Sequence, residues 1–156
     1  MSKDRLSRRL QTSLSLVKPD FYHTWYVGFG VGQELPRFHR FFCETEWSHC
    51  FCFAQVGPFV QVVNPGWDRV EIGLRASDEG GPLDAEDYAH ELNGQGFTII
   101  RLRHAPTRMK WASVVVPNCV TAVKVICGYN TGIWTQTPRR LFQHMVDRGG
   151  AEIVCV

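Results

Sequence analysis

Three residues in this chain carry chemistry that depends on where they sit: Cys119, His49 and Gln61. Cys119 follows Asn118 inside VVVPNCVTAVKVICG, residues 114–128, where valines and a proline give way to a polar pair ahead of a second apolar run. Read as a helix, the segment takes Asn118 as its N-cap and Cys119 as its first residue. The unpaired N–H groups of a helix start, and the positive end of its dipole, favour a thiolate over a thiol. The same N–H groups could hold the oxyanion of a tetrahedral intermediate. Two other readings stand beside this one: a strand, because the segment is rich in β-branched residues, and a buried structural thiol.

A thiolate nucleophile needs a base, and the base needs an orienting partner. Of the six histidines (23, 39, 49, 90, 104 and 144), His49 stands in WSHCFCF, a run that alternates like a strand. Alternation puts His49 with Phe51 and Phe53 on one face, and Cys50 with Cys52 on the other. The following strand offers Gln61, whose amide oxygen could accept the ring proton and fix the tautomer. The plainer roles are a satisfied strand histidine and a solvent-facing glutamine.

The elements that must position these residues can be read from pattern. Leu6, Leu10 and Leu14 predict a short amphipathic helix within residues 1–18. TWYVGFGVG, residues 24–32, is a strand or the wall of a groove, and LPRFHRFFCETEW, residues 35–47, is either a short helix or a loop. WSHCFCFAQ, FVQVVN and RVEIGLRA, separated by VGP and NPGWD, predict three strands in a meander. LDAEDYAHELNGQG predicts a helix capped by Asp84, and FTIIRLRH another strand. TPRRLFQHMVDRGG is the clearest helix: Thr137 caps it, Pro138 opens it, and Leu141, Phe142, Met145 and Val146 form its apolar stripe. AEIVCV closes the fold as an edge strand. Within the cysteine helix, Cys119, Val123 and Ile126 share a face, flanked by Val120 and Cys127, and Gly128 caps the end. The fold class is α+β, an antiparallel sheet packed against the cysteine helix, in one domain spanning residues 1–156.

A strand histidine, a polar residue twelve positions later, and an Asn-Cys pair opening a helix form an order that resembles the circularly permuted papain-like fold. That group includes the lecithin:retinol acyltransferase family and permuted relatives of the NlpC-type peptidases. The resemblance covers roughly residues 45–145. It implies Cys119 as nucleophile, His49 as base and Gln61 as orienting residue. The chain departs from the acyltransferase pattern after the pair, where Val120, Thr121, Ala122 and Val123 replace an acidic and an aromatic residue, and at Gln61, where histidine is usual. The peptidase or amidase branch therefore fits at least as well as a lipid acyltransferase.

Composition bounds the rest. A length of 156 residues, 44% hydrophobic and 21% charged, allows one well-filled core. A net charge of +2 gives no general reason to expect nucleic acid, although Lys3, Arg5, Arg8, Arg9 and Lys18 concentrate charge at the start. MSKDRLSRRL lacks the apolar core of a signal peptide, and no run reaches the roughly 18 apolar residues of a membrane span. Reduced thiols are therefore expected for the six cysteines (43, 50, 52, 119, 127 and 155), with a cytoplasmic site, or a virion if the protein is phage-encoded. His39, Cys43, His49, Cys50 and Cys52 match no zinc-finger frame, so neither metal nor cofactor is expected. The glycines of GFGVG lack the lysine of a phosphate loop. The function read from all this is a thiol hydrolase or acyltransferase acting on a peptide, amide, ester or thioester through Cys119, His49 and Gln61. The alternatives are a non-catalytic component of a phage particle or other large assembly, and a module that binds an acyl or peptide ligand without turnover.

Overall fold

The structure is a computed structural model that describes residues 24–31, 47–66, 69–102, 118–129, 131, 135–148 and 150–154. In chain order its elements are β1 (Trp25–Gly30), β2 (His49–Val56), β3 (Phe59–Pro65), β4 (Val70–Arg75), α1 (Ala85–Gly94), β5 (Thr98–Leu102), α2 (Cys119–Ile126), α3 (Pro138–Asp147) and β6 (Ala151–Ile153). The strands form one antiparallel sheet in the order β4-β3-β2-β1-β5-β6. The α+β class, the β2–β3–β4 meander and the closing edge strand are all present. The expected helix within residues 1–18, its basic cluster and most of residues 35–47 lie outside the described residues. No helix among the described residues is long and apolar enough to cross a membrane.

Strand alternation splits the core into two layers. On one face Val27, Phe29, Cys50, Cys52, Val63, Ile100 and Leu102 meet Val120, Val123 and Cys127 of the α2 segment, with Leu141 and Met145 of α3. On the other, Tyr26, Phe51, Phe53, Val60 and Ile99 meet Ala85, Ala89 and Leu92 of α1. Each large apolar side chain buried in this way contributes about 1.5–3 kcal/mol. The GFG stretch forms a strand, one of the two readings its sequence allows. Gly28 and Gly30 belong to β1, whose neighbours are β2 and β5, and aromatic rings occupy the space their side chains would need. A Cβ on Gly28 would come 2.4 Å from Phe51, and one on Gly30 would come 2.4 Å from Phe97.

The helix starts follow from side-chain caps. Asp84 accepts the Glu86 N–H at 2.7 Å, Asn118 accepts the Thr121 N–H at 2.8 Å, and Thr137 accepts the Arg140 N–H at 3.4 Å. Gln55 anchors α1 from the β2–β3 hairpin, accepting the Ala85 N–H at 2.7 Å and donating to Leu83 O at 3.1 Å. In α2 the β-branched valines cost helix propensity, but Val120 and Val123 are fully buried, and packing outweighs that cost. The buried stripe is Val120, Val123 and Cys127, with Cys119 and Ile126 only partly buried beside it. The apolar face is thus turned by one residue from the Cys119–Val123–Ile126 stripe that the pattern suggests. Cys119 is left at its rim.

Candidate active site

Asn118 fixes where α2 begins. It is in an extended conformation (φ −149°, ψ 174°), its Oδ1 takes the Thr121 N–H, and its Nδ2 donates to Gln136 O at 3.4 Å. The segment before α3 is therefore bound to the start of α2. Lys124 strengthens the same junction: its side chain is buried and its Nζ donates to Thr135 O at 3.3 Å, while burial lowers its pKa. Cys119 is held as the first helical residue at a doubly tied N-terminus.

Two side chains of β2 meet the Cys119 thiol. His49, the first residue of the strand, hydrogen-bonds it, and so does the fully buried Cys50. Successive strand residues point to opposite faces, so both contacts place the sulfur over the open end of β2. There the leading histidine can reach it from the far face. The Cys50 hydrogen bond is the largest influence on Cys119. Burial opposes it, but with the hydrogen bond and charge of His49 added, the Cys119 pKa lies well below the ordinary thiol range. Burial pulls the His49 pKa down, yet its hydrogen bond with Cys119, the sulfur's charge and its bond to Asn64 together raise it. Both shifts favour the thiolate–imidazolium form of the pair over the neutral one. Cys50 is affected in the opposite sense: burial first, then its hydrogen bond with Cys119 and the Cys119 charge, push its pKa well up, which favours the thiol that donates.

The residue that hydrogen-bonds the His49 ring is Asn64, not Gln61. His49 Nε2–H donates to Asn64 Oδ1 at 2.7 Å, which leaves Nδ1 as the nitrogen available to the sulfur. Register explains the difference. In the β2–β3 ladder Cys52 faces Val63 and Ala54 faces Gln61. Directly opposed residues share a face, so Gln61 lies on the face of Cys52 and Ala54, whereas His49 and Phe51 share theirs with Val62 and Asn64. Gln61 is also at the wrong end of the strand. The signal that could have identified Asn64 is its parity with His49 once the hairpin turn at Gly57 (φ 59°) is placed. Phe51 supports the imidazole from the same face, with ring centroids 6.3 Å apart and planes 19° from parallel.

The arrangement is a cysteine, histidine and asparagine in series: a thiol shifted toward its ionised form, a ring engaged at Nε2, and an amide that holds the ring. Cys50 and Cys52 are buried in the α2-facing core, while His39 and Cys43 lie outside the described residues. Among the described residues no three metal-ligating side chains converge. No family model, curated protein or solved structure matches the chain.

Proposed function

We propose that the protein performs thiol-dependent acyl chemistry on an amide, ester or thioester, in a permuted papain-like arrangement. The observation that carries this reading is the Cys119 thiol hydrogen-bonded to a His49 ring that Asn64 holds at 2.7 Å. The Cys119 thiolate attacks the carbonyl carbon, and the new oxyanion forms beside the unpaired N–H groups at the α2 start. His49 gives its Nδ1 proton to the leaving amine, alcohol or thiol as the C–N, C–O or C–S bond breaks. Water or an amine then enters, His49 takes its proton, and the acyl group leaves the sulfur. Asn64 accepts from Nε2–H throughout and keeps Nδ1 toward the sulfur.

p-Nitrophenyl acetate tests the reading because it needs no knowledge of the natural substrate. An acetyl group located on Cys119 by peptide mass spectrometry, with nitrophenol release lost in Cys119→Ala, is the expected result. Acetylation spread evenly over the thiols, or none at all, contradicts it. A second reading, a non-catalytic component of a phage particle or other large assembly, draws support from β4, whose Val70, Ile72 and Leu74 are 51%, 66% and 63% exposed. An obligate oligomer by light scattering, with no acylation at Cys119, is the outcome that favours it.

A further inference from the structure

Cys50 has no task in the acyl chemistry beyond its hydrogen bond, yet it presents a second sulfur to the nucleophile from the buried side. The two thiols differ in access. Cys119 is partly exposed at the rim of the α2 stripe, whereas Cys50 is fully buried beneath it. Only Cys119 can meet a solute first, and Cys50 is the sulfur in contact with whatever Cys119 becomes. A second pair one turn of strand deeper, Cys52 with Cys127, is hydrogen-bonded in a similar way, but both members are buried. All four are free thiols.

We infer that Cys119 and Cys50 form a hydroperoxide-responsive dithiol, in which Cys119 is oxidised and Cys50 resolves it as an intramolecular disulfide. This rests on the thiolate reading of Cys119 given above. The Cys119 thiolate attacks the terminal oxygen of a hydroperoxide. The O–O bond breaks, a sulfenic acid forms, and the departing alkoxide takes the proton of the His49 imidazolium. The Cys50 sulfur then attacks the Cys119 sulfur. An S–S bond forms, the S–O bond breaks, and the hydroxide leaves as water with the Cys50 thiol proton. Two thiols lose two electrons, and the peroxide is reduced to an alcohol and water. Closing to an S–S bond of about 2.05 Å requires the Cys119 and Cys50 side chains to approach at the first turn of α2. The disulfide removes the nucleophile from acyl chemistry and, unlike a sulfinic acid, is reversed by a dithiol reductant.

The experiment treats the fully reduced chain with one equivalent of hydrogen peroxide, blocks remaining thiols with iodoacetamide, and maps peptides without reduction. The expected product links Cys50 to Cys119, leaves Cys52 and Cys127 alkylated when the protein is unfolded, and regains its own starting Cys119 reactivity after dithiothreitol. Cys50→Ser keeps a hydrogen-bond donor and removes the resolving sulfur. Given excess hydrogen peroxide, because sulfinic acid takes a second equivalent, its Cys119 is expected to proceed to sulfinic acid, with more than tenfold poorer recovery relative to its own reduced state. Fast alkylation of reduced Cys119 together with no Cys50–Cys119 link in the wild-type protein overturns this inference and leaves the acyl chemistry standing. Slow alkylation of Cys119 before any oxidation overturns the reading on which both rest.

Discussion

At the scale of the residue, the site depends on which side chain holds His49. Asn64→Ala removes the acceptor of the Nε2–H bond and should lower acetylation at Cys119 by about tenfold or more, with a shifted pH profile. Gln61→Ala, on the other face of β3, should leave both rate and profile unchanged. Parallel p-nitrophenyl acetate assays of the two variants separate the assignments. The ion pair also makes a stability prediction whose sign can be worked out. The Cys119 pKa is depressed in the fold, so its contribution is full above the unfolded thiol value of about 8.5 and is lost as pH falls through the folded value. The His49 pKa is raised, so its contribution is full below about 6.5 and is lost as pH rises through its folded value. Where the two titrations overlap, the two slopes oppose each other. Urea denaturation should therefore show the wild type's advantage over a His49→Ala/Cys119→Ala double variant falling at both the acid and the alkaline end. The Asn118 cap and the place of His49 in a strand were legible because each is set by local pattern. Asn64 was not, because it depends on a cross-strand register that the sequence leaves open by one residue, and a shift of one residue exchanges the faces.

At the scale of the element, α2 shows how propensity yields to packing. Its valines read equally well as a strand, and the capped Asn118 with the buried Val120 and Val123 decides for a helix. Asn118→Ala should cost about 1 kcal/mol in denaturant unfolding, the usual loss of a capping bond. It should also slow Cys119 alkylation, because the same residue sets the helix start against Gln136. β1 is the complementary case. TWYVGFGVG reads as a strand or a groove wall, and it is a strand whose glycines are small because Phe51 and Phe97 fill the adjacent space. Gly28→Ala should therefore destabilise by about 1–3 kcal/mol as Phe51 is displaced, seen as a lower midpoint of thermal unfolding. Pattern alone did not show this, since a glycine's role depends on which aromatic ring lies opposite it.

At the scale of the whole molecule, the sheet places its working parts at one end of β2, between a layer built on α1 and a layer built on α2 and α3. The meander of residues 47–76 was readable from turns and alternation. The insertion of β1 between β2 and β5 was not, because a non-local pairing leaves no mark in a local window. The sheet's β4 edge is exposed along its length, and its Arg69–Glu71 ion pair at 3.0 Å is exposed as well and adds little stability. Ile72→Lys, at 66% exposure, should change unfolding free energy by no more than about 0.5 kcal/mol if the chain works as a monomer. A larger loss, accompanied by a fall in mass by light scattering, would instead mark this edge as an assembly surface.

The most direct measurement is the rate of iodoacetamide modification at each cysteine as a function of pH, resolved by peptide mass spectrometry, in the wild type and in His49→Ala. The account expects Cys119 to react fastest, to stay reactive at pH values where ordinary thiols are protonated, and to lose at least tenfold of that acid-side reactivity without His49. A Cys119 whose profile tracks ordinary thiols, with or without His49, contradicts it.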